Sequence, residues 1–322
     1  MRGVYFEGGG IALRDDLPEP TRGPGECRVQ VLCAGVCATD LALARGYMGF
    51  QGIPGHEFVG LALDGPHEGQ RVVGEINAGC GSCPRCESGD PRHCSGRSVL
   101  GILRRPGAFA EQLVLPAANL LPVPDEVSTS AATFTEPLAA AFEILEQLEP
   151  AAGTEALVIG DGRLGLLCAQ ALHHAGLEVS LEGRHPERSS FLPSGLSYVQ
   201  PEAGERWPLV VEATGHPEGV KGALARTSPR GTVVLKTTTE APVSIDLAPL
   251  VVDEIRLVGS RCGRFAPALA ALAEGKVAVE PMISARYPLS RAEDALEAAA
   301  RRGALKVLID VSDAPPPRES VS

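Results

Sequence analysis

The sequence predicts an α/β chain in two parts, a β-rich domain and a doubly wound parallel sheet. Three observations carry this expectation. Up to about residue 135, short apolar stretches such as Cys27–Cys33 and Gln70–Glu75 are broken by Gly and Pro turns. From Glu155 onward, apolar strand patterns alternate with helical ones, which implies a parallel sheet covered on both faces. A glycine-rich loop then stands between the first of those strands and the helix after it.

Taken in order, Glu155–Gly160 reads as a strand, Leu164–His174 as a helix ending near Gly176, and Leu177–Leu181 as a second strand. Pro208–Glu212, Gly231–Leu235 and Ile255–Gly259 are further strands. Ala266–Ala273 reads as a helix stopped by Gly275. Ser290 with Glu293 is a capping-box pattern for a helix ending at Gly303, and Leu305–Val311 is a last strand. The Pro-rich polar tail from Ser312 reads as disordered.

Composition narrows the function. The 322 residues are 44% hydrophobic, enough for a full core, and the net charge is −11. Binding nucleic acid takes a basic face, so it is not expected here. No apolar run reaches the length of about 18 residues that marks a membrane span. Met1–Gly10 lacks a basic region followed by an apolar core, so the expected compartment is the cytoplasm. There, nine cysteines are expected as thiols or metal ligands rather than disulfides.

Two ligand patterns follow. Cys80, Cys83, Cys86 and Cys94 have the spacing of a closed, four-thiolate structural zinc site. The alternative is free thiols or disulfides. His93, beside a fourth ligand, reads as an exposed neighbour. Cys37, His56 and Glu136 together offer zinc three protein ligands and leave a fourth position open, as a catalytic site needs. Singly, each also fits a bland role: a small buried thiol, a core histidine, an acid favouring a helix start.

Gly160-Asp-Gly162-Arg-Leu164-Gly165 lies between a strand and a helix, the setting in which Gly-x-Gly-x-x-Gly cradles a pyrophosphate in a Rossmann domain. The second strand runs into Leu181-Glu182-Gly183-Arg184-His185. An enzyme that uses NAD places an acid at this strand end. Counting from the loop puts Gly183 there, followed by Arg184, which makes room and a charge partner for the 2′-phosphate of NADP. A register error of one residue would restore Glu182 as the acid, and Arg184 could equally be a solvated surface arginine.

The order Gly-x-Cys37-x-Thr39-Asp40, Gly-His56-Glu57, four-cysteine lobe, Glu136-Pro and glycine loop resembles that of the zinc-dependent medium-chain dehydrogenases. The carboxylate at 136 is similar to the polyol, threonine and glucose dehydrogenase branches. The resemblance implies a GroES-like catalytic domain over 1–147 and 265–322, with a zinc lobe at about 78–96, and a Rossmann domain over 148–264. It implies two zinc ions per chain, an NAD(P) cofactor, an alcohol or carbonyl substrate, and a homodimer or homotetramer joined near Ile255–Gly259.

It also implies roles. Cys37, His56 and Glu136 would ligate the catalytic zinc, with Glu57 close behind it. Asp40 would orient His56. Thr39 would bond the substrate oxygen and pass its proton on while hydride moves to the nicotinamide. Lys306 would reach the cofactor pyrophosphate, and Gly183, Arg184 and His185 would meet the adenosine end. Ala42 replaces a relay histidine common in the family, so the proton must leave by another route. Tyr47, Met48 and Phe50 either line a pocket or pack. Two rivals remain on the same fold, a zinc-free NADPH enone or quinone reductase and a cofactor-binding protein without turnover.

Overall fold

An eleven-residue strand, Glu26–Val36, organises the first part of the molecule. Its Val29, Val31 and Val36 are fully buried, as alternating β-branched residues against a core should be. In this computed structural model, which describes residues 1–8, 10–238 and 242–312, the strand centres a seven-stranded mixed sheet. Glu57–Ala62 pairs antiparallel with one edge of it and Lys306–Asp310 antiparallel with the other. Gly35 therefore lies opposite Glu57 on one side and Leu308 on the other. This register brings together residues from opposite ends of the chain.

Contacts divide the chain into two units, Met1–Glu136 with Met282–Ser322, and Pro137–Pro281. The boundaries differ from those expected at 147/148 and 264/265. The Phe265–Ala273 helix, expected in the first domain, goes with the second unit, where Gln170 exchanges two hydrogen bonds with Ala278 at 3.2 and 2.8 Å.

The second unit carries six parallel strands: Glu155–Ile159, Glu178–Glu182, Ser197–Val199, Trp207–Glu212, Thr227–Leu235 and Arg256–Gly259. Across the sheet they lie third, second, first, fourth, fifth, sixth. That order is the dinucleotide-binding doubly wound sheet, so the α/β expectation is borne out. Leu157, Val210 and Val233 fill its buried centre. Ser197–Val199 has no counterpart among the expected strands. It is only three residues long and mixes Ser and Tyr with Val, which leaves no apolar period to read.

The helix near the C-terminus also starts differently. Leu289–Arg291 forms a 3₁₀ turn and the α-helix spans Ala292–Ala300, with no side-chain cap from Ser290. The expected disordered tail falls on residues 313–322, which lie outside the described residues.

Candidate metal and cofactor sites

Cys37 ends the central strand and begins the Ala38–Ala44 helix. Asp40, fully buried, carries that junction. Its Oδ2 accepts the Cys37 N–H at 2.8 Å, closing the helix start, and its Oδ1 accepts the Gly55 N–H at 3.2 Å. Oδ1 also lies 3.4 Å from His56 Nδ1. One carboxylate thus ties the Cys37 segment to the His56 segment and faces the imidazole on its Nδ1 side, leaving Nε2 for another partner. Thr39 is the second residue of the helix rather than its cap, and its hydroxyl lies 3.9 Å from Cys37 Sγ.

Ligand atoms of Cys37, His56 and Glu57 lie within 4.8 Å of one another. Glu136, expected as the third ligand, is not in that group. It sits in the first turn of the Thr135–Leu148 helix, and Glu57 takes its place in the cluster. Glu57 is fully buried where Gly35 opposite has no side chain, and a Cβ at Gly35 would overlap its carboxylate. Its charge is met by Lys306, also fully buried, whose ammonium pairs with Glu57 Oε2 and lies 5.3 Å from the centre of the Phe134 ring. Lys306, expected at the cofactor pyrophosphate, is therefore a buried partner of Glu57 in this structure. His56 lies beside Asp40 and Cys37. Burial works against its charged form, yet the Asp40 carboxylate and Cys37 raise its pKa well above the ordinary value. Such a donor set, with soft sulfur, imidazole and carboxylate, fits zinc.

The four-cysteine lobe is built on a short sheet, Asn77–Ala78, Ser98–Leu100 and Arg104–Arg105, and a turn of helix at Pro84–Glu87. Cys80, Cys83, Cys86 and Cys94 converge within 4.8 Å. Cys83 Sγ lies 3.6 Å from both Cys86 Sγ and Cys94 Sγ. A zinc–sulfur bond of about 2.3 Å implies sulfur–sulfur edges of about 3.8 Å in a tetrahedron, so the spacing fits the ion. The Ser82 N–H and the neighbouring thiols pull Cys80 down to about 6. At Cys83 the Cys86 N–H works the same way, but burial and three nearby sulfurs push it up to about 11. Packed thiols resist ionising together, and a divalent cation removes that conflict. His93 is exposed beside them. A closed thiolate site contributes to folding rather than to chemistry. Cys94→Ser should thus lower the melting temperature while surviving folded protein keeps near-normal turnover. Lost turnover at an unchanged melting temperature would contradict this role.

In the second unit, Gly160 has φ +112 and Gly165 packs against the Gly160 carbonyl with no room for a Cβ. Gly162 caps the twelve-residue helix Arg163–His174 without a side-chain cap, and Leu164 is half-buried in its first turn. A helix N-terminus of this kind favours an anion, through its N–H groups and the positive end of its dipole. Glu182 is held by Arg226, with Arg226 Nε 2.8 Å from Oε2 and Nη2 3.1 Å from Oε1. Arg184 is exposed. His185 uses its backbone N–H internally, donating at 2.6 Å to Asp161 Oδ2.

Residues 23–125 match the alcohol dehydrogenase GroES-like domain family. An L-threonine 3-dehydrogenase of Streptomyces coelicolor is 30% identical, over 92% of this chain and 94% of the relative. The chain belongs to the zinc-binding medium-chain dehydrogenases. This medium-chain dehydrogenase is an NAD(P)-linked oxidoreductase of the alcohol dehydrogenase type. A zinc-binding dehydrogenase from Sinorhizobium meliloti 1021, solved bound to NADP, superposes with a TM-score of 0.86 at 28% identity, covering 96% of this chain and 99% of the other. An alcohol dehydrogenase from Escherichia coli CFT073, complexed with NADH, superposes with a TM-score of 0.87 at 25% identity, covering 97% and 99%. The two solved relatives thus differ in the cofactor they hold. No described helix of the dehydrogenase is long and apolar enough to cross a membrane.

Proposed function

We propose that this dehydrogenase interconverts a secondary alcohol or polyol and its carbonyl counterpart with NADP, using one catalytic and one structural zinc. The observation that carries the reading is the convergence of Cys37, His56 and Glu57. A zinc-free reductase on this fold has no use for such a buried donor set. Three protein ligands leave a fourth position for substrate or water. Zinc held there by Cys37, His56 and Glu57 would supply Lewis acidity toward a substrate oxygen, and a bound nicotinamide cofactor would supply the hydride chemistry.

The remaining work falls to the chain. Asp40 holds the His56 ring from its Nδ1 side. Lys306 offsets the charge of Glu57. The Thr39 hydroxyl takes the proton of the substrate alcohol and passes it on. Ala42 offers no onward acceptor, so from Thr39 the proton would have to leave without a side-chain relay at position 42. Glycines 160, 162 and 165 with Leu164 would hold the pyrophosphate of a bound cofactor. The exposed Leu247, Val251 and Val252, and Leu257 on the edge strand Arg256–Gly259, support pairing with a second copy as a homodimer or within a homotetramer.

NADP is favoured over NAD because the nearest strand-end acid, Glu182, is tied to Arg226, while Gly183 offers no acid and Arg184 is exposed. A charge-assisted contact to the 2′-phosphate contributes about 1.5–3 kcal/mol, or roughly ten- to a hundredfold in affinity. NADPH should therefore bind more tightly than NADH in a fluorescence titration, and Arg184→Ala should remove the difference. Equal affinities untouched by Arg184→Ala would refute the NADP assignment. A screen of polyols, sugars, simple alcohols and aldehydes with both cofactors tests the reaction itself. Zinc-loaded protein that binds NADPH but oxidises or reduces none of them would instead be a cofactor-binding member without turnover.

A further inference from the structure

Asp161, the residue between the first two glycines of the loop, is 6% exposed. Its Oδ2 accepts the His185 N–H at 2.6 Å and the Tyr198 hydroxyl at 2.9 Å. Its Oδ1 lies 3.6 Å from Arg188 Nη1, which also donates to the Asp161 carbonyl at 2.6 Å. Tyr198 in turn accepts the His185 N–H at 3.0 Å. Burial, reinforced by Asp161, pushes the Tyr198 hydroxyl up to about 12, so it stays a donor. A buried carboxylate so engaged has little left for an incoming ribose.

Gly183 explains what this arrangement does. A Cβ there would overlap the Cβ, Cγ and Oδ2 of Asp161. The Gly183 backbone lies outside the left-handed region, so the glycine is required for room and not for conformation. The place where a strand-end acid would stand is taken by a side chain from the loop.

We propose that Asp161 is a positioning residue for cofactor specificity: its carboxylate occupies the space of a side chain at 183, bars an acid there, and pins the 183–185 turn so that exposed Arg184 is the group a 2′-phosphate meets. This deepens the NADP reading above and rests on it for the role of Arg184.

The test uses full-length, zinc-loaded protein carrying Gly183→Ala, Gly183→Asp, Asp161→Gly and the paired changes. Melting temperature and the affinities for NADPH and NADH are measured for each. Gly183→Ala alone should lower the melting temperature, and adding Asp161→Gly should restore most of it. Gly183→Asp alone should gain no NADH affinity. The Asp161→Gly, Gly183→Asp pair should tighten NADH and weaken NADPH, each by about tenfold, an inversion that a merely structural role would not produce. Tyr198→Phe, a milder change, should lower the NADPH to NADH affinity ratio while the protein stays folded. The proposal is overturned if Gly183→Asp alone gains NADH affinity at an unchanged melting temperature. It is also overturned if the pair, or Tyr198→Phe where the pair does not fold, keeps the wild-type ratio. Wild-type protein that binds both cofactors equally, with Arg184→Ala silent, sinks the NADP reading alone. The thermal coupling of positions 161 and 183 is read independently of it.

Discussion

Thr39→Val is expected to cut turnover by about 10²-fold or more, the usual contribution of a positioned proton-transfer group. Valine nearly keeps the shape and removes only the hydroxyl. Thr39 lies 3.9 Å from Cys37 Sγ, beside the cluster where the substrate oxygen would sit. Ala42 gives no nearby side chain to stand in for it. Metal content, cofactor affinity and melting temperature should stay near the wild-type values. A capping role would instead cost about 1 kcal/mol of stability on substitution. Asp40 rather than Thr39 closes this helix start, through its bond to the Cys37 N–H. Full turnover with a lowered melting temperature would therefore contradict both the proton-transfer role and the geometry.

The second large effect is on stability. Lys306 and Glu57 are fully buried and face each other. Removing one member of such a pair leaves an uncompensated charge and costs about 3–5 kcal/mol. In a domain of this size that lowers the melting temperature by roughly 10 °C. Lys306→Met should show this loss, with the lower end expected in zinc-loaded protein because the ion offsets part of the Glu57 charge. Adding Glu57→Gln should recover stability, since the orphaned charge is then gone. An unchanged melting temperature for Lys306→Met would mean that Glu57 is neutralised by something other than Lys306.

The sequence was most legible where chemistry repeats at short range. Two-residue gaps between cysteines and a glycine loop flanked by a strand and a helix can be read without a fold, and Cys37 and His56 stood out by their company. The choice between Glu57 and Glu136 was not legible. Both are acids beside a landmark, His56 or Pro137. Glu57 stands in the cluster beside the space at Gly35 and the charge of Lys306, which lies 249 residues away and arrives only through strand pairing. Lys306 was expected at the cofactor through the family resemblance alone, and its burial against Glu57 could not be read from its local sequence. Asp161 was hidden for a similar reason. Its position in the motif tolerates many residues, and its partners His185, Arg188 and Tyr198 gather around it only in the folded sheet. The start of the C-terminal helix failed for a local reason, since the 3₁₀ turn at Leu289–Arg291 took the place where Ser290 would have capped.

Zinc content per chain tests the central claim most directly. Protein purified without chelator, analysed for metal against protein concentration, should hold two zinc ions, one for each ligand cluster. Cys37→Ala should lose one of them and Cys83→Ala the other. A single zinc that persists after Cys37→Ala and disappears after Cys83→Ala would contradict the catalytic metal site and the hydride-transfer reading built on it.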